Sequence, residues 1–443
     1  MTKKLQNKGW TVTGAGILIN LALGILYTWS IFKNAIKNSI EQGGADSFNW
    51  DAATINDPYA VCCLVFAFSM ILAGKCQDKL GPRITALIGG LLVGIGFIWI
   101  SRTTVYLNWI IGFGVLVGTG IGFGYSSATP PALKWFPPEK TGLIAGLVVS
   151  GFGLASVYIA PLSKYLLSIW SLQQSMLFFG VAFIIVVCGA SLLLVNPPPG
   201  YKPPRPKTAE VRLEDVFQFE SFFADCFPES NSGSRVLRSI STGREMKPSQ
   251  ILKTIDFYIL WLIYLTGAGA GLMVIGSVAG MAQKSMGESA FLVVAIMAIG
   301  NAGGRIVAGI LTDKIGPTIT MVIMLLFQAI LMFAAIPVVG SENASALLLS
   351  LLATFIGFNY GTNLSLFPLF TKSLWGLKNF GTNYGIVFTA WGVGGFIMSR
   401  LSQMLTAKSG SYNSSFFIAG ILLMAGIVLT LIIRSRLTKQ KTA

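Results

Sequence analysis

Twelve apolar runs follow one another along the chain, at 11–32, 57–75, 84–101, 107–132, 142–167, 174–195, 256–282, 290–312, 318–339, 344–371, 382–404 and 414–433. Each is close to the ~20 residues that a helix needs to cross the hydrocarbon core of a bilayer. Six runs precede a long polar segment and six follow it. The pattern predicts an all-α membrane protein with twelve transmembrane helices in two six-helix bundles, 1–195 and 255–443, joined by a central loop at 196–254. That loop opens NPPPGYKPPRPK, and its prolines end the sixth helix and make an extended linker. The stretch EDVFQFESFFADCF follows, then a basic, serine-rich run to Lys253. The phenylalanine-rich part is either a surface-lying segment or a poorly ordered tether between the halves.

A short pattern ends the second run of each half. Gly74-Lys-Cys-Gln-Asp78-Lys79-Leu80-Gly81-Pro82 and Gly309-Ile-Leu-Thr-Asp313-Lys314-Ile315-Gly316-Pro317 share G-x-x-x-D-K-x-G-P. Its recurrence at matched places marks duplicated halves. Each Asp is expected to cap a short turn, and each leading Gly to let a neighbouring helix come close. Duplicated halves put a substrate site near the midplane between them, with rocking as the motion. Asp78 and Asp313 are therefore the candidate gating residues.

Composition agrees with a polytopic membrane chain. Of 443 residues, 53% are apolar and 11% charged. There is no His, which removes the usual metal ligand and general base together. The five Cys (Cys62, Cys63, Cys76, Cys188, Cys226) show no metal-ligand spacing and read as small apolar residues. No metal, no cofactor and no nucleophile–base pair is expected, so the chain is not read as an enzyme.

Lys and Arg concentrate in alternate connections and in the central loop, whereas Glu41, Asp46, Asp51 and Asp57 gather after the first run. This bias places both termini in the cytoplasm and the chain, multi-pass, in a plasma (inner) membrane. It also accounts for the net charge of +15 without a nucleic-acid partner. The segment before the first run has no small-residue cleavage site, so that helix is expected to be retained. The chain is expected to work as a monomer in the lipid bilayer.

One full charge, Arg305, interrupts the run from Phe291 to Leu311. Burying a guanidinium at membrane depth costs at least ~2.5 kcal/mol on insertion scales. No Asp or Glu lies within a turn or two, and the residue four earlier is Asn301. An Arg so placed calls for an anion from elsewhere, and a substrate carboxylate fits its planar fork. The alternative is an Arg that snorkels to an interface or bonds backbone carbonyls, but Asp313, at the helix end, is roughly two turns away. Asn301 shares that face and either bonds the substrate or a neighbouring helix. Further candidates are Tyr27, with Asn20 on one face of helix 1, and Tyr125, after a glycine-rich approach in helix 4. Helix 10 supplies Asn359, Tyr360 and Asn363, and helix 11 supplies Asn383, Tyr384, Phe388 and Trp391. Aromatics at such spacings are also ordinary packing.

The repeated G-x-x-x-D-K-x-G-P resembles the cytoplasmic loop motif of the major facilitator superfamily. Within it, the chain resembles the oxalate/formate antiporter family and the related monocarboxylate transporters. The residues that carry this are Gly24-Ile-Leu-Tyr27-Thr-Trp29-Ser-Ile-Phe32, Gly120-Ile-Gly122-Phe-Gly124-Tyr125, Ala128-Thr-Pro130-Pro131-Ala-Leu-Lys134-Trp135-Phe136-Pro137, Asn301-x-x-x-Arg305 and Asn383-Tyr384-Gly385. The resemblance implies the major facilitator fold and a carboxylate-binding role for Arg305. It raises Tyr125, Tyr360 and Tyr384 as site residues. It also implies secondary active transport of small monocarboxylates such as lactate or pyruvate, by proton-coupled symport and alternating access.

Two positions depart from those relatives. The oxalate exchanger has a Lys in helix 11 where this chain has Trp391, and the proton-linked transporters have an Asp where this chain has Asn301. No span contains a central acid, so Asp57 and Lys33, at the outer ends of helices 2 and 1, are the nearest proton-coupling candidates. The alternatives are a carboxylate anion exchanger and a non-transporting membrane sensor of carboxylates with the 196–254 loop as its output.

Overall fold

The computed structural model describes residues 7–44, 47–51, 54–55, 57–137, 140–201, 203, 245–286, 290–339, 345–409 and 412–442. Among them twelve long helices run in order: α1 (Gly9–Gln42), α2 (Asp57–Leu80), α3 (Pro82–Ile100), α4 (Tyr106–Trp135), α5 (Thr141–Ile169) and α6 (Leu172–Ser191), then α7 (Ile255–Met286), α8 (Ala290–Ile315), α9 (Pro317–Val339), α10 (Ala346–Trp375), α11 (Phe380–Ser409) and α12 (Asn413–Thr442). Eleven of these helices are long and apolar enough to cross a membrane. The remaining one, α11, is as long, and its Asn383 and Thr389 are turned inward and buried. The phenylalanine-rich stretch and Cys226 lie outside the described residues.

The G-P that ends each repeat has a direct structural cause. Gly81 and Gly316 have φ of 87° and 84°, the left-handed region open to glycine, and Pro82 and Pro317 begin the next helices. The Gly81 and Gly316 N–H groups bond back to the Gln77 and Thr312 carbonyls at 3.1 and 3.0 Å. These turns are therefore closed by their own backbone.

Helices α1–α6 pack into one bundle and α7–α12 into a second, and the two meet chiefly along α2–α11 and α5–α8. Small residues make this approach possible. A Cβ on Gly309 would stand 2.2 Å from the Gly142 carbonyl oxygen, and one on Gly74 would stand 2.0 Å from that of Gly381. Further along, Gly385 meets the Met70 carbonyl and Gly146 meets that of Arg305. These contacts run from the face where α1 begins and α12 ends, here the terminal face, to the level of Arg305.

At the terminal face the two repeat Asp residues do something other than cap their own turns. Asp313 accepts from the Gly142 and Leu143 N–H groups at 2.8 and 2.9 Å. Asp78 accepts from the Gly381 and Thr382 N–H groups at 3.0 and 2.9 Å, and from the Thr382 hydroxyl at 2.8 Å. Each carboxylate thus caps the first turn of a helix in the opposite bundle, α5 or α11. The physical reason is supply and demand. Backbone already satisfies the Asp's own turn, whereas the first N–H groups of a helix have no partner within it and favour negative charge. Lys372 adds a bond from its Nζ to the Thr141 hydroxyl, 2.7 Å away, at the same closure.

Two adjacent glycines of α8 test how far this packing depends on absent side chains. A Cβ on Gly304 would lie 1.9 Å from the Phe358 carbonyl oxygen, whereas one on Gly303 meets only a Phe358 ring carbon at 4.0 Å. Forcing α8 from α10 should cost about 1–3 kcal/mol, the usual range for overpacking. Thermal unfolding of the purified protein should show Gly304→Ala clearly destabilised and Gly303→Ala unchanged within error. Equal behaviour of the two variants would contradict the packing described.

Candidate functional site

Arg305 sits midway along the α5–α8 contact and is fully buried, at 0% exposure. Glycines clear the space around it. A Cβ on Gly153 of α5 would touch Arg305 Nε and Asn301 Oδ1 at 3.4 and 3.3 Å, and one on Gly361 of α10 would collide with the Asn301 backbone carbonyl. Arg305 Nε donates to Asn301 Oδ1, one helical turn away, at 2.9 Å. Nη1 donates to the Val149 carbonyl of α5, across the boundary between bundles. Nη2 is buried and has no partner among the described residues. Full burial rules out snorkelling here. Carbonyl bonding accounts for one of the three nitrogens, and Asn301 serves the guanidinium itself, so its amide oxygen is already engaged.

A chain of polar atoms lies beside Arg305. Trp391 Nε1 donates to the Tyr360 hydroxyl at 2.9 Å, and that hydroxyl is 2.9 Å from the Tyr27 hydroxyl. Tyr27 comes from α1 and Tyr360 from α10, so this bond also joins the two bundles. The Tyr27 hydroxyl lies next to the Arg305 guanidinium. A second group of hydroxyls, from Tyr125, Tyr264 and Tyr384, face one another.

Aromatic rings frame both groups. Phe152 packs edge-on against Tyr27 and Tyr125 at 5.2 and 5.5 Å between centroids. Phe388 lies 5.6 Å from Tyr125 and stacks on Trp391 at 5.2 Å. Phe66 sits between the bundles, 5.6 Å from Tyr125 and 5.4 Å from Trp391. The frame is apolar, which strengthens any charge interaction made within it. Sequence reasoning did not single out Phe66, Phe152 or Tyr264. Tyr264 adjoins a glycine-rich stretch of α7, much as Tyr125 follows one in α4, so the same signal finds it. Nothing in residue type or spacing distinguishes Phe66 or Phe152 from other buried rings.

Several candidates lie elsewhere. Asn383 donates from Nδ2 to the Met246 carbonyl, 3.0 Å away, at the start of α11 rather than beside Arg305. Residues 245–246 are fastened to the same place. The Glu245 carboxylate accepts from the Leu377 and Lys378 N–H groups at 3.2 and 2.7 Å, and the Met246 N–H bonds the Trp375 carbonyl at 3.1 Å. Asn383 is thus an anchor for the end of the central segment. Asn20 holds the Val148 carbonyl at 2.8 Å, and Asn359 and Asn363 bond carbonyls of their own helix. Asp57, the first residue of α2, accepts from the Tyr106 hydroxyl at 2.7 Å, and Lys33 is exposed. Neither joins the group around Arg305. The site therefore presents a guanidinium and phenolic hydroxyls, groups that bind and orient an oxyanion.

The family model of the Major Facilitator Superfamily matches residues 11–399. The chain is 28% identical to an Escherichia coli (strain K12) protein described as the uncharacterized MFS-type transporter YhjX, over 88% of this chain and 86% of that one. It is 22% identical to the oxalate:formate antiporter of Oxalobacter formigenes, over 95% and 90% of the two chains. Identity to the Homo sapiens monocarboxylate transporter 11 is 25%, over 94% and 81%. Among solved structures, a double-tryptophan mutant of XylE shares the fold with a TM-score of 0.70 at 16% identity, covering 96% and 95% of the two chains. The Escherichia coli fucose:proton symporter FucP, as a point variant, shares it with a TM-score of 0.55 at 16% identity, covering 94% and 98%. With two six-helix bundles, the duplicated Asp caps and a family match over most of its length, the chain belongs to the Major Facilitator Superfamily, as a multi-pass membrane transporter related to monocarboxylate transporters and to an oxalate:formate antiporter.

Proposed function

We propose that the chain is a secondary active transporter of small monocarboxylates of the lactate and pyruvate type, working by alternating access. The observation that carries this reading is Arg305: fully buried, between the bundles, with Nη2 unpartnered. A cation so placed is costly unless an anion arrives, and a carboxylate accepts from a guanidinium edge. Tyr27, Tyr125, Tyr360 and Tyr384 supply further hydroxyls, and the rings of Phe66, Phe152 and Phe388 suit a short alkyl tail. The bundles 1–195 and 255–443 are the rocking bodies. With both termini cytoplasmic, in a plasma (inner) membrane, the Asp78 and Asp313 caps close the cytoplasmic side.

One observation favours a second reading of the coupling. Among the described residues no carboxylate pairs with Arg305, and Asp57 is engaged by Tyr106 at the start of α2. An interior without an acid suits exchange of one carboxylate for another as well as proton-linked symport. Uptake into vesicles under an imposed pH gradient, against uptake driven by an internal counter-anion, separates the two.

The test of the main reading is uptake of radiolabelled pyruvate. Arg305→Ala should abolish it at unchanged expression. Arg305→Lys should also fail, because an ammonium cannot hold Asn301 and Val149 while offering a forked edge to the substrate. Normal uptake by the Ala variant would refute the assignment.

The caps give a second expectation. Asp78→Asn or Asp313→Asn removes the charge that favours the helix N-termini of the opposite bundle. Turnover should fall more than substrate affinity does; lost affinity at unchanged turnover would show that these residues do not gate.

Charge number gives a third. Arg305 balances one carboxylate, and a second one at this depth stays unpaired, at a cost of several kcal/mol. Each ~1.4 kcal/mol is a factor of about ten in affinity. Unlabelled oxalate should therefore compete poorly with labelled pyruvate in the wild type, and better in Trp391→Lys, which adds a second cation. Strong competition by oxalate in the wild type would overturn the one-cation argument.

A further inference from the structure

We propose that Trp391 is a positioning residue for the substrate: by donating to Tyr360 it sets the direction of the hydroxyl protons, so that Tyr27 O–H, next to the Arg305 guanidinium, is a second donor to one carboxylate. The inference rests on the carboxylate reading of the site and says how a residue outside direct contact completes it.

The argument is a count of protons. An indole N–H only donates, and a guanidinium only donates. At the Trp391–Tyr360 contact, 2.9 Å long, the Tyr360 oxygen must accept. Where Tyr27 lies against Arg305, the Tyr27 oxygen can only accept. Between these two ends stand two hydroxyls and one hydrogen bond, 2.9 Å long. That bond uses one of the two phenolic protons. The other has no acceptor among the described residues, whichever tyrosine keeps it. Nη2 of Arg305 has no partner among the described residues either, and Asn301 Oδ1 accepts from Nε. The spare phenolic proton and the cationic guanidinium are neighbours, and two acceptors on one anion would satisfy both.

Trp391 decides which tyrosine keeps the spare proton. Accepting from the indole makes the Tyr360 hydroxyl a stronger donor, because linked hydrogen bonds polarise one another. Tyr360 therefore donates to Tyr27, and the spare proton belongs to Tyr27. Burial agrees with this order: Tyr360 is fully buried at 0% exposure, whereas Tyr27 is partly exposed. Stacking on Phe388 and contact with Phe66 hold the indole in place. A Phe at 391 keeps that stacking and removes only the N–H.

The experiment is binding of radiolabelled pyruvate to the purified full chain, in wild type, Trp391→Phe, Tyr360→Phe, the double variant and Tyr27→Phe. Trp391→Phe should weaken binding about fivefold, the worth of roughly one net hydrogen bond. In the Tyr360→Phe background the same change should cost less than about twofold, because the indole then has no hydroxyl to act through. Tyr27→Phe should lose at least as much as Trp391→Phe. Equal losses from Trp391→Phe in both backgrounds would show a packing role and overturn the proposal, as would unchanged affinity in Tyr27→Phe, a variant that disturbs no buried ring. Wild type that binds pyruvate beside an unaltered Trp391→Phe would remove this inference and leave the carboxylate site standing. Wild type that binds no monocarboxylate would overturn both.

Discussion

A guanidinium held between two helix bundles, with no counter-charge among the described residues, is the constraint around which this structure is arranged. Arg305 is tolerated at depth because two of its three nitrogens are satisfied, Nε by Asn301 and Nη1 by the Val149 carbonyl. The third is not. Leaving one donor unspent at membrane depth is unfavourable in isolation. On the proposed reading it has a use: an arriving anion gains from the donor what the empty protein lacks, so binding would be coupled to the boundary between the bundles. The Nη1–Val149 bond itself crosses that boundary, which places the proposed ligand site and the moving interface on the same side chain.

Keeping the Arg enclosed requires helices that almost touch, and the chain achieves this with glycine. Gly146 and Gly153 of α5 bring backbone against Arg305 and its neighbours, and Gly361 brings α10 against Asn301. Nearer the terminal face, Gly142 meets Gly309 and Gly74 meets Gly381. Contacts of this kind are close yet lack interlocking side chains, so they can part without withdrawing knobs from holes. The Asp78 and Asp313 caps add directional bonds at the same face. The interface is thus held by polar bonds at its end and at the level of Arg305 and Tyr27, with dispersion between them, a division suited to a contact that can part.

Residue 391 shows how one substitution alters a site twice. A cation there would offer a second counter-charge for a dicarboxylate. The indole offers none and instead donates into the Tyr360–Tyr27 pair. On the proposed reading, charge capacity and hydrogen-bond direction therefore change together.

The sequence by itself determined the helices and their number. Apolar runs of membrane-spanning length can adopt little else in lipid, where every backbone polar group needs an internal partner. It also determined where the halves repeat, since Gly81-Pro82 and Gly316-Pro317 encode local backbone geometry, and it exposed Arg305, because one charge in an apolar run is conspicuous without any fold. Only the tertiary structure decided what depends on contact across the chain. Asp78 and Asp313 cap helices of the opposite bundle rather than their own turns, because the unpaired N–H groups they meet lie at sequence separations of 170 residues or more. Asn301 orients the Arg, and Asn383 anchors Met246 far from it. Phe66 and Phe152 became part of the site's frame through packing alone, a property that residue type and spacing do not carry. A hydrogen bond needs two partners at about 3 Å, and for residues from separate helices that distance is set by how the helices cross.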